Sequence, residues 1–91
     1  MELKGKFNLG LVVVTARANT QLLPADVMAA LRRHHGGDWG DLCPEDQAEN
    51  ERGLVQAGRL FSVYRASTGV KFYIITEHDR SVTTVLLPDD Y

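Results

Sequence analysis

The sequence is poor in cysteine, tryptophan and proline, with one, one and three of these residues, respectively. A single cysteine, Cys43, excludes an intrachain disulfide and every multi-cysteine metal framework, which is typical of a reducing compartment. Apolar runs such as Leu11 to Val14 fall far short of the roughly 20 residues that a membrane helix needs, and the N-terminus lacks the apolar core of a signal peptide. We therefore predict a cytoplasmic protein that does not enter a membrane.

The length of 91 residues is enough for one modest hydrophobic core and too short for two. Hydrophobic residues make up 44% of the chain and charged residues 24%, which excludes wholesale disorder. We predict a single globular domain that spans residues 1–91.

The first half of the chain predicts one strand and two helices. Alternating apolar and β-branched residues indicate a strand from Phe7 to Thr15, and the polar segment from Ala16 to Leu23 is predicted to be a connection. A first helix is predicted from Pro24 to His35, because proline suits the first turn and Gly36-Gly37 follows the last. A second helix is predicted to begin at Pro44 and to end before Gly58, with acidic residues in its first turn.

The second half of the chain predicts three strands joined by short turns. Apolar and β-branched residues cover Leu60 to Arg65, Val70 to Thr76 and Val82 to Leu87. The connections Ala66 to Gly69 and Glu77 to Ser81 are short, so neighbouring strands run antiparallel. We predict an α+β domain with the element order β-α-α-β-β-β, in which an antiparallel sheet of about four strands carries two helices on one face.

Two sets of residues compete for the buried face of the last two strands. The even-numbered set, predicted to share the core with Val27, Leu31 and Trp39, comprises Phe72, Ile74, Val82, Thr84 and Leu86. The competing odd-numbered set comprises Tyr73, Ile75, Val85 and Leu87. A shift of register by one residue exchanges the two sets, so the choice between them stays open. The lone Trp39 is predicted to fill the core and to donate its indole N–H to one acceptor.

Charge is unevenly distributed along the chain, whose formal net charge is −2. The segment from Gly36 to Arg52 contains six acidic residues and one arginine. This segment is either a solvated helix face, whose first-turn acids suit the helix dipole, or a surface that docks on a basic partner. The predicted partner-binding residues lie in this segment and in the turn before the last strand: Asp41, Glu45, Asp46, Glu49, Glu77, His78, Asp79 and Arg80.

Several short strings of residues together resemble one protein family. They are Gly37-Asp38-Trp39-Gly40-Asp41, Glu45-Asp46 with Asn50, Ser62-Val63-Tyr64, Ile74-Ile75-Thr76-Glu77 with Asp79-Arg80-Ser81, and Thr83-Thr84 to Leu87-Pro88 with Tyr91. Over nearly the whole chain, these strings resemble a family of small plasmid-related proteins encoded on bacterial mobile elements. The resemblance implies a mobile-element setting and no established activity.

A ribonuclease is the alternative interpretation of the sequence. The predicted helix and sheet are similar in outline to barnase-like and toxin-type ribonuclease folds, whose metal-independent chemistry needs a base, an acid and a cation for the phosphate. Residues of suitable types are His34, His35, Arg59, Arg80, Thr83 and Thr84. The negative net charge opposes RNA binding, and a cluster such as His34-His35 is also typical of a helix C-terminus.

The sequence predicts no metal site and no cofactor. Glu77, His78 and Asp79 are adjacent in a turn, where their side chains diverge, and the Gly36-Gly37 pair follows a helix, whereas a phosphate loop leads into one. The scattered cations leave nucleic-acid binding open without favouring it. We predict a small non-catalytic interaction protein that binds a protein partner, with interference with a host defence such as CRISPR or restriction as its specialised form. A transcriptional or plasmid-maintenance role is equally open.

Overall fold

The computed structural model describes residues 5–91 and confirms the predicted α+β class. Four strands form one sheet, and helices lie between the first strand and the other three. The elements are β1 (Leu11–Val14), α1 (Ala16–Gln21), α2 (Pro24–His35), α3 (Pro44–Gln56), β2 (Leu60–Arg65), β3 (Lys71–Thr76) and β4 (Val82–Leu86), followed by a 3₁₀ turn at Pro88–Asp90. The strand order is β1-β4-β3-β2.

Most of the sheet is antiparallel, as short connections require. β2 pairs with β3 and β3 pairs with β4 in antiparallel registers. β1 pairs with β4 in parallel, because the chain returns to the sheet through three helices and a hairpin before β4 reaches the first strand. β1 and β2 are therefore the two edge strands.

The prediction that Ala16 to Leu23 is a polar connection was wrong. Residues Ala16–Gln21 form a short helix, whose N-terminus is capped because the Thr15 side chain accepts a hydrogen bond from the backbone N–H of Ala18. Ala18 is completely buried and is the only buried residue of this helix. One buried alanine in six residues leaves no apolar periodicity for sequence reasoning to detect.

The first strand is shorter than predicted. Only Leu11–Val14 of the predicted Phe7 to Thr15 segment pairs in the sheet. Gly10 has a φ of 66°, and a Cβ atom at this position would lie 2.4 Å from the backbone oxygens of Arg80 and Ser81. The chain therefore bends at a glycine that no other residue can replace without strain, and the ladder begins one residue later.

Helices α1 and α2 cover one face of the sheet and enclose the core. The core cluster comprises Ala18, Leu22, Ala30, Leu31, Tyr64, Ala66, Phe72, Ile74, Val85 and Leu87, with Val27 and Val70 packed against it. The predicted core positions Val27 and Leu31 are confirmed. Trp39 is also buried, and its indole N–H donates to Glu51 at 2.7 Å, as predicted.

The predicted inward face was right for β3 and wrong for β4. Phe72 and Ile74 lie in the core cluster, but their partners from β4 and the residue after it are Val85 and Leu87. The predicted residues Val82, Thr84 and Leu86 lie on the opposite face. The register between these strands places Ile74 of β3 opposite Val85 of β4. Even-numbered residues of β3 therefore share a face of the sheet with odd-numbered residues of β4.

The edge of β2 is covered by hydrogen bonds from outside the sheet. The backbone N–H of Val63 donates to the Trp39 carbonyl at 3.2 Å, and the Asp41 N–H donates to the Val63 carbonyl at 2.8 Å. The Asn50 side chain of α3 binds both the N–H and the carbonyl of Phe61, at 3.1 and 2.6 Å. These contacts satisfy the outward backbone groups of Phe61 and Val63 and fix α3 beside β2.

Candidate functional site

Two regions contain some of the polar residues that the sequence singled out. The first is a buried network around His34, at the end of α2. His34 Nδ1 lies 2.6 Å from the Ser62 hydroxyl, and Nε2 lies 2.9 Å from the Thr76 hydroxyl. The chain of contacts continues from Thr76 to Thr83 at 2.7 Å and ends where Thr83 donates to the Leu9 carbonyl at 2.6 Å. The four residues whose side chains form this network, His34, Ser62, Thr76 and Thr83, are completely buried.

The direction of these hydrogen bonds fixes the tautomer of His34. Thr83 has one hydroxyl proton, which it gives to a carbonyl, so its oxygen accepts from Thr76. Thr76 has then used its own proton and accepts from Nε2–H of His34, which leaves Nδ1 to accept from Ser62. Burial lowers the pKa of His34 to about 3, helped by His35 and Arg80 nearby. His34 is therefore a neutral, fully hydrogen-bonded part of the interior.

The six residues considered for ribonuclease chemistry lie in different parts of the molecule. His34 and Thr83 belong to the buried network, whereas Thr84 faces the other side of the sheet because successive residues of a strand alternate. His35 packs near Phe7, with ring centroids 5.7 Å apart, on the helix-covered side. Arg59 precedes β2 at the far edge of the sheet. Among residues 5–91, these side chains do not form one accessible cluster.

Arg80, considered for both functions, binds the backbone of two elements. Its guanidinium donates to the carbonyls of Gly53 and Gly58 at 2.8 and 2.6 Å, and to that of Glu77 at 3.1 Å. Arg80 itself has a φ of 60° in the turn between β3 and β4. The side chain thereby connects the C-terminal end of α3 to this turn, where carbonyls of the last helical turn need donors.

The second region is a groove on the sheet face opposite α1 and α2, which we call the β2 groove. Its floor contains Phe61 and Val63 of β2 and Tyr73 of β3. The rings of Phe61 and Tyr73 lie 4.8 Å apart, and the Tyr91 ring lies 6.1 Å from each. Two depressions of about 380 and 310 Å³ share Leu42, Asp46 and Phe61 and so lie side by side, and we treat them together as the β2 groove.

The β2 groove carries opposite charges along its side and at its ends. The acidic wall consists of Asp41, Asp46 and Glu49, at and before the N-terminal half of α3. The basic ends consist of Arg59, which precedes β2, and of Arg65 and Lys71, which pair at the other end of β2 and β3.

Two cations of the basic ends lie over aromatic rings of the groove. The guanidinium carbon of Arg59 is 5.7 Å from the Tyr91 centroid, and Nζ of Lys71 is 5.8 Å from that of Tyr73. The groove thus presents aromatic surface between carboxylates and cations.

The structure brings three of the eight predicted partner-binding residues together. Asp41, Asp46 and Glu49 line the β2 groove, whereas Glu45 lies in the same helical turn without lining it. The turn residues Glu77, His78, Asp79 and Arg80 lie between β3 and β4. Glu77 reaches the groove indirectly, because its carboxylate pairs with Arg59 at 3.5 Å.

The aromatic floor escaped sequence reasoning. Phe61 and Tyr73 were considered only as strand residues, and Tyr91 lies beyond the last predicted strand. Strand alternation places Phe61 and Val63 on one face of β2, which was the available signal. Whether this face of β2 is covered by helices or left open depends on how α1 and α2 pack against Leu60, Tyr64 and their neighbours. The sequence pattern does not specify this packing.

No three histidine, cysteine, aspartate or glutamate side chains of residues 5–91 come together as a group that could hold a metal ion. None of the helices within the same residues has the length and apolar character needed to cross a bilayer.

Comparison with protein-family models, with curated proteins and with solved structures finds no significant match to the chain. The resemblance to plasmid-related proteins therefore stays a prediction, and the proposal of a function rests on the geometry of the β2 groove.

Proposed function

We propose that the protein is a non-catalytic interaction protein that binds an extended segment of a partner protein in the β2 groove. The single observation that supports this function is an aromatic floor with an acidic wall along α3 and cations at both ends of β2. The proposal includes the setting that the resemblance implies, in which the protein is encoded on a bacterial mobile element and acts in the cytoplasm. Interference with a host defence is the specialised form of this function.

The charges of the groove favour a polypeptide over a nucleic acid. A nucleic-acid site concentrates cations along its length, because each phosphate contact contributes through counterion release. In the β2 groove, the cations lie only at the two ends of β2 and three carboxylates belong to the acidic wall, so a phosphate backbone would meet repulsion along that wall. A peptide that carries both basic and acidic side chains matches the acidic wall and the basic ends, and its apolar or aromatic residues cover Phe61.

The dimensions of the groove suit a short extended segment. The floor runs along β2 between the basic ends at Arg59 and Arg65, a distance of about 20 Å at roughly 3.3 Å per strand residue. A segment of about six extended residues fills this length. Because contacts from Asn50 and the Trp39 to Asp41 segment already cover the edge of β2, the partner binds through side chains and not by adding a strand.

Peptide selection tests this function directly. A displayed library of random 12-residue peptides is selected on the wild-type protein, and the selected peptides are synthesised for calorimetry and NMR titration. We expect them to contain basic residues and to shift the amide signals of Phe61, Val63 and Tyr73. Phe61→Ala, which removes the centre of the floor, should weaken binding by about tenfold or more.

Two charge variants separate the groove from general electrostatics. Asp46→Asn removes a charge that belongs to both depressions, and Glu45→Gln removes one from the same helical turn outside the groove. We expect Asp46→Asn to weaken peptide binding and reduce its salt dependence, and Glu45→Gln to leave both nearly unchanged. Selected peptides that bind to another surface would contradict the proposal. So would single-stranded RNA that binds the wild type at physiological salt and no longer binds Arg59→Gln.

A further inference from the structure

The two edge strands of the sheet differ in whether their outward backbone groups are hydrogen-bonded. The outward backbone groups of Phe61 and Val63 in β2 are hydrogen-bonded to Asn50 and to the Trp39 to Asp41 segment. Within residues 5–91, no strand pairs with the outer edge of β1. All four residues of β1 are apolar and exposed, with Leu11 67% exposed and Val12, Val13 and Val14 at 37–38%. Edge strands of proteins that remain monomeric usually carry a charge, a proline or a bulge, and Leu11–Val14 contains no charged residue or proline.

The hydrogen bonds to β4 identify which groups of β1 point outward. The N–H groups of Leu11 and Thr15 donate to the carbonyls of Ser81 and Val85 at 2.9 and 3.0 Å. Odd-numbered residues of this strand therefore face β4, and the N–H and C=O groups of Val12 and Val14 face outward. The open edge offers two residues with both groups available to a new strand.

An apolar depression lies beside this edge on the helix-covered face. Leu9, Val12, Met28 and Leu31 line it together with Arg32 and His35, and its volume is about 360 Å³. Met28 is 52% exposed although it lies on the helix that covers the core. The apolar surface of the strand thus continues onto α2, and both are accessible to the same partner.

We propose that β1 pairs with β1 of a second copy of this chain, in an antiparallel arrangement about a two-fold axis at Val13. This register places Val12 of each copy opposite Val14 of the other, and each such pair exchanges two backbone hydrogen bonds. The two Val13 residues face each other directly as the non-hydrogen-bonded pair between them. The result is a continuous eight-stranded sheet.

The second copy is the occupant that the edge fits best. A two-fold axis requires a self-complementary surface, and a short edge of four apolar residues without charge meets this requirement. Complete burial of the exposed parts of β1 and Met28 in both copies removes less than about 1,000 Å² from solvent, which is below the standard size of a stable interface and typical of a weak one. The dimer is therefore expected to be reversible and dependent on concentration.

Sedimentation over a range of protein concentrations tests this pairing. We expect the wild type to pass from monomer to dimer and Val13→Lys, which places two like charges at the axis, to weaken association by about tenfold or more. Val55→Lys makes the same change at a position 86% exposed on α3 and should leave the dimer unchanged. A wild type that stays monomeric at millimolar concentration overturns the proposal and leaves the edge to a strand of another protein.

Disulfide cross-linking tests the register independently, including the case in which Val13→Lys does not fold. In a Cys43→Ser background, which removes the exposed native thiol, Val13→Cys places two sulfurs across the axis at a Cα separation of about 4.5 Å, within the range for a disulfide. Leu11→Cys is the matched control on the same face, since it would lie opposite Thr15 of the other copy. We expect rapid cross-linking of Val13→Cys alone, and equal rates for both variants would refute the Val13-centred register.

Discussion

At the scale of single residues, His34 illustrates how the same side chain suits two opposite interpretations. The sequence places two histidines at a helix end, a pattern compatible with a base for RNA cleavage or with a charged terminus. The structure instead buries His34 and gives each ring nitrogen a hydroxyl partner, Ser62 and Thr76. This arrangement was not predictable because it depends on residues 28 and 42 positions away in the sequence.

The buried His34 makes stability depend on pH in a definite direction. The unfolded chain binds a proton at His34 below its ordinary pKa of about 6.5, whereas the folded chain does so only near 3. Stability therefore falls as pH decreases through this window, with a slope that approaches about 1.4 kcal/mol per pH unit. Urea denaturation between about pH 7 and pH 5 measures it, before carboxyl groups with ordinary pKa values near 4 titrate.

His34→Gln supplies the control for this pH dependence. Its amide can accept from Ser62 and donate to Thr76 but does not titrate. The variant should lose the His34 contribution to the slope while keeping a cooperative transition. If wild type and variant show the same slope over this range, His34 is not the buried neutral group described here.

At the scale of the elements, the helices and strands that carry clear local sequence signals are the ones that could be predicted. α2, α3 and the last three strands were predicted nearly to their ends, since prolines, glycines and alternation mark them. α1 was missed because its packing rests on Ala18 alone, and the inward face of β4 was wrong because register is set by pairing with β3. The acidic wall was visible in composition, but its position beside Phe61 requires the contact from Asn50.

Asn50 is the residue whose loss should separate α3 from the sheet. Asn50→Ala removes two hydrogen bonds and leaves the N–H and carbonyl of Phe61 without this partner. We expect a loss of about 1–3 kcal/mol in the free energy of unfolding, measured by urea denaturation. Gln56→Ala, an exposed change on the same helix, should alter stability by less than about 0.5 kcal/mol. Equal effects of the two substitutions would show that the edge contact does not hold α3 in place.

At the scale of the whole molecule, the two proposed surfaces lie at opposite ends of the sheet. The strand order places β1 and β2 three spacings apart, about 14 Å at roughly 4.8 Å per strand. In a dimer paired through β1, the two β2 grooves would lie at the ends of an eight-stranded sheet, about 34 Å apart. One surface assembles the dimer and the other stays accessible to a partner, so the dimer is bivalent if both proposals hold.

This separation predicts avidity without coupling. A single selected peptide should bind wild type and Val13→Lys with the same dissociation constant and one site per chain, because β1 does not line the groove. Two copies of the peptide joined by a flexible Gly/Ser linker of about 40 residues, whose average span is about 35 Å, should bind the wild type at least about tenfold more tightly than one copy. Val13→Lys should lose this gain, because its two grooves are no longer on one particle. Calorimetry at concentrations where the wild type is dimeric measures both quantities, and a change in single-peptide affinity in Val13→Lys would show that the edge and the groove are coupled.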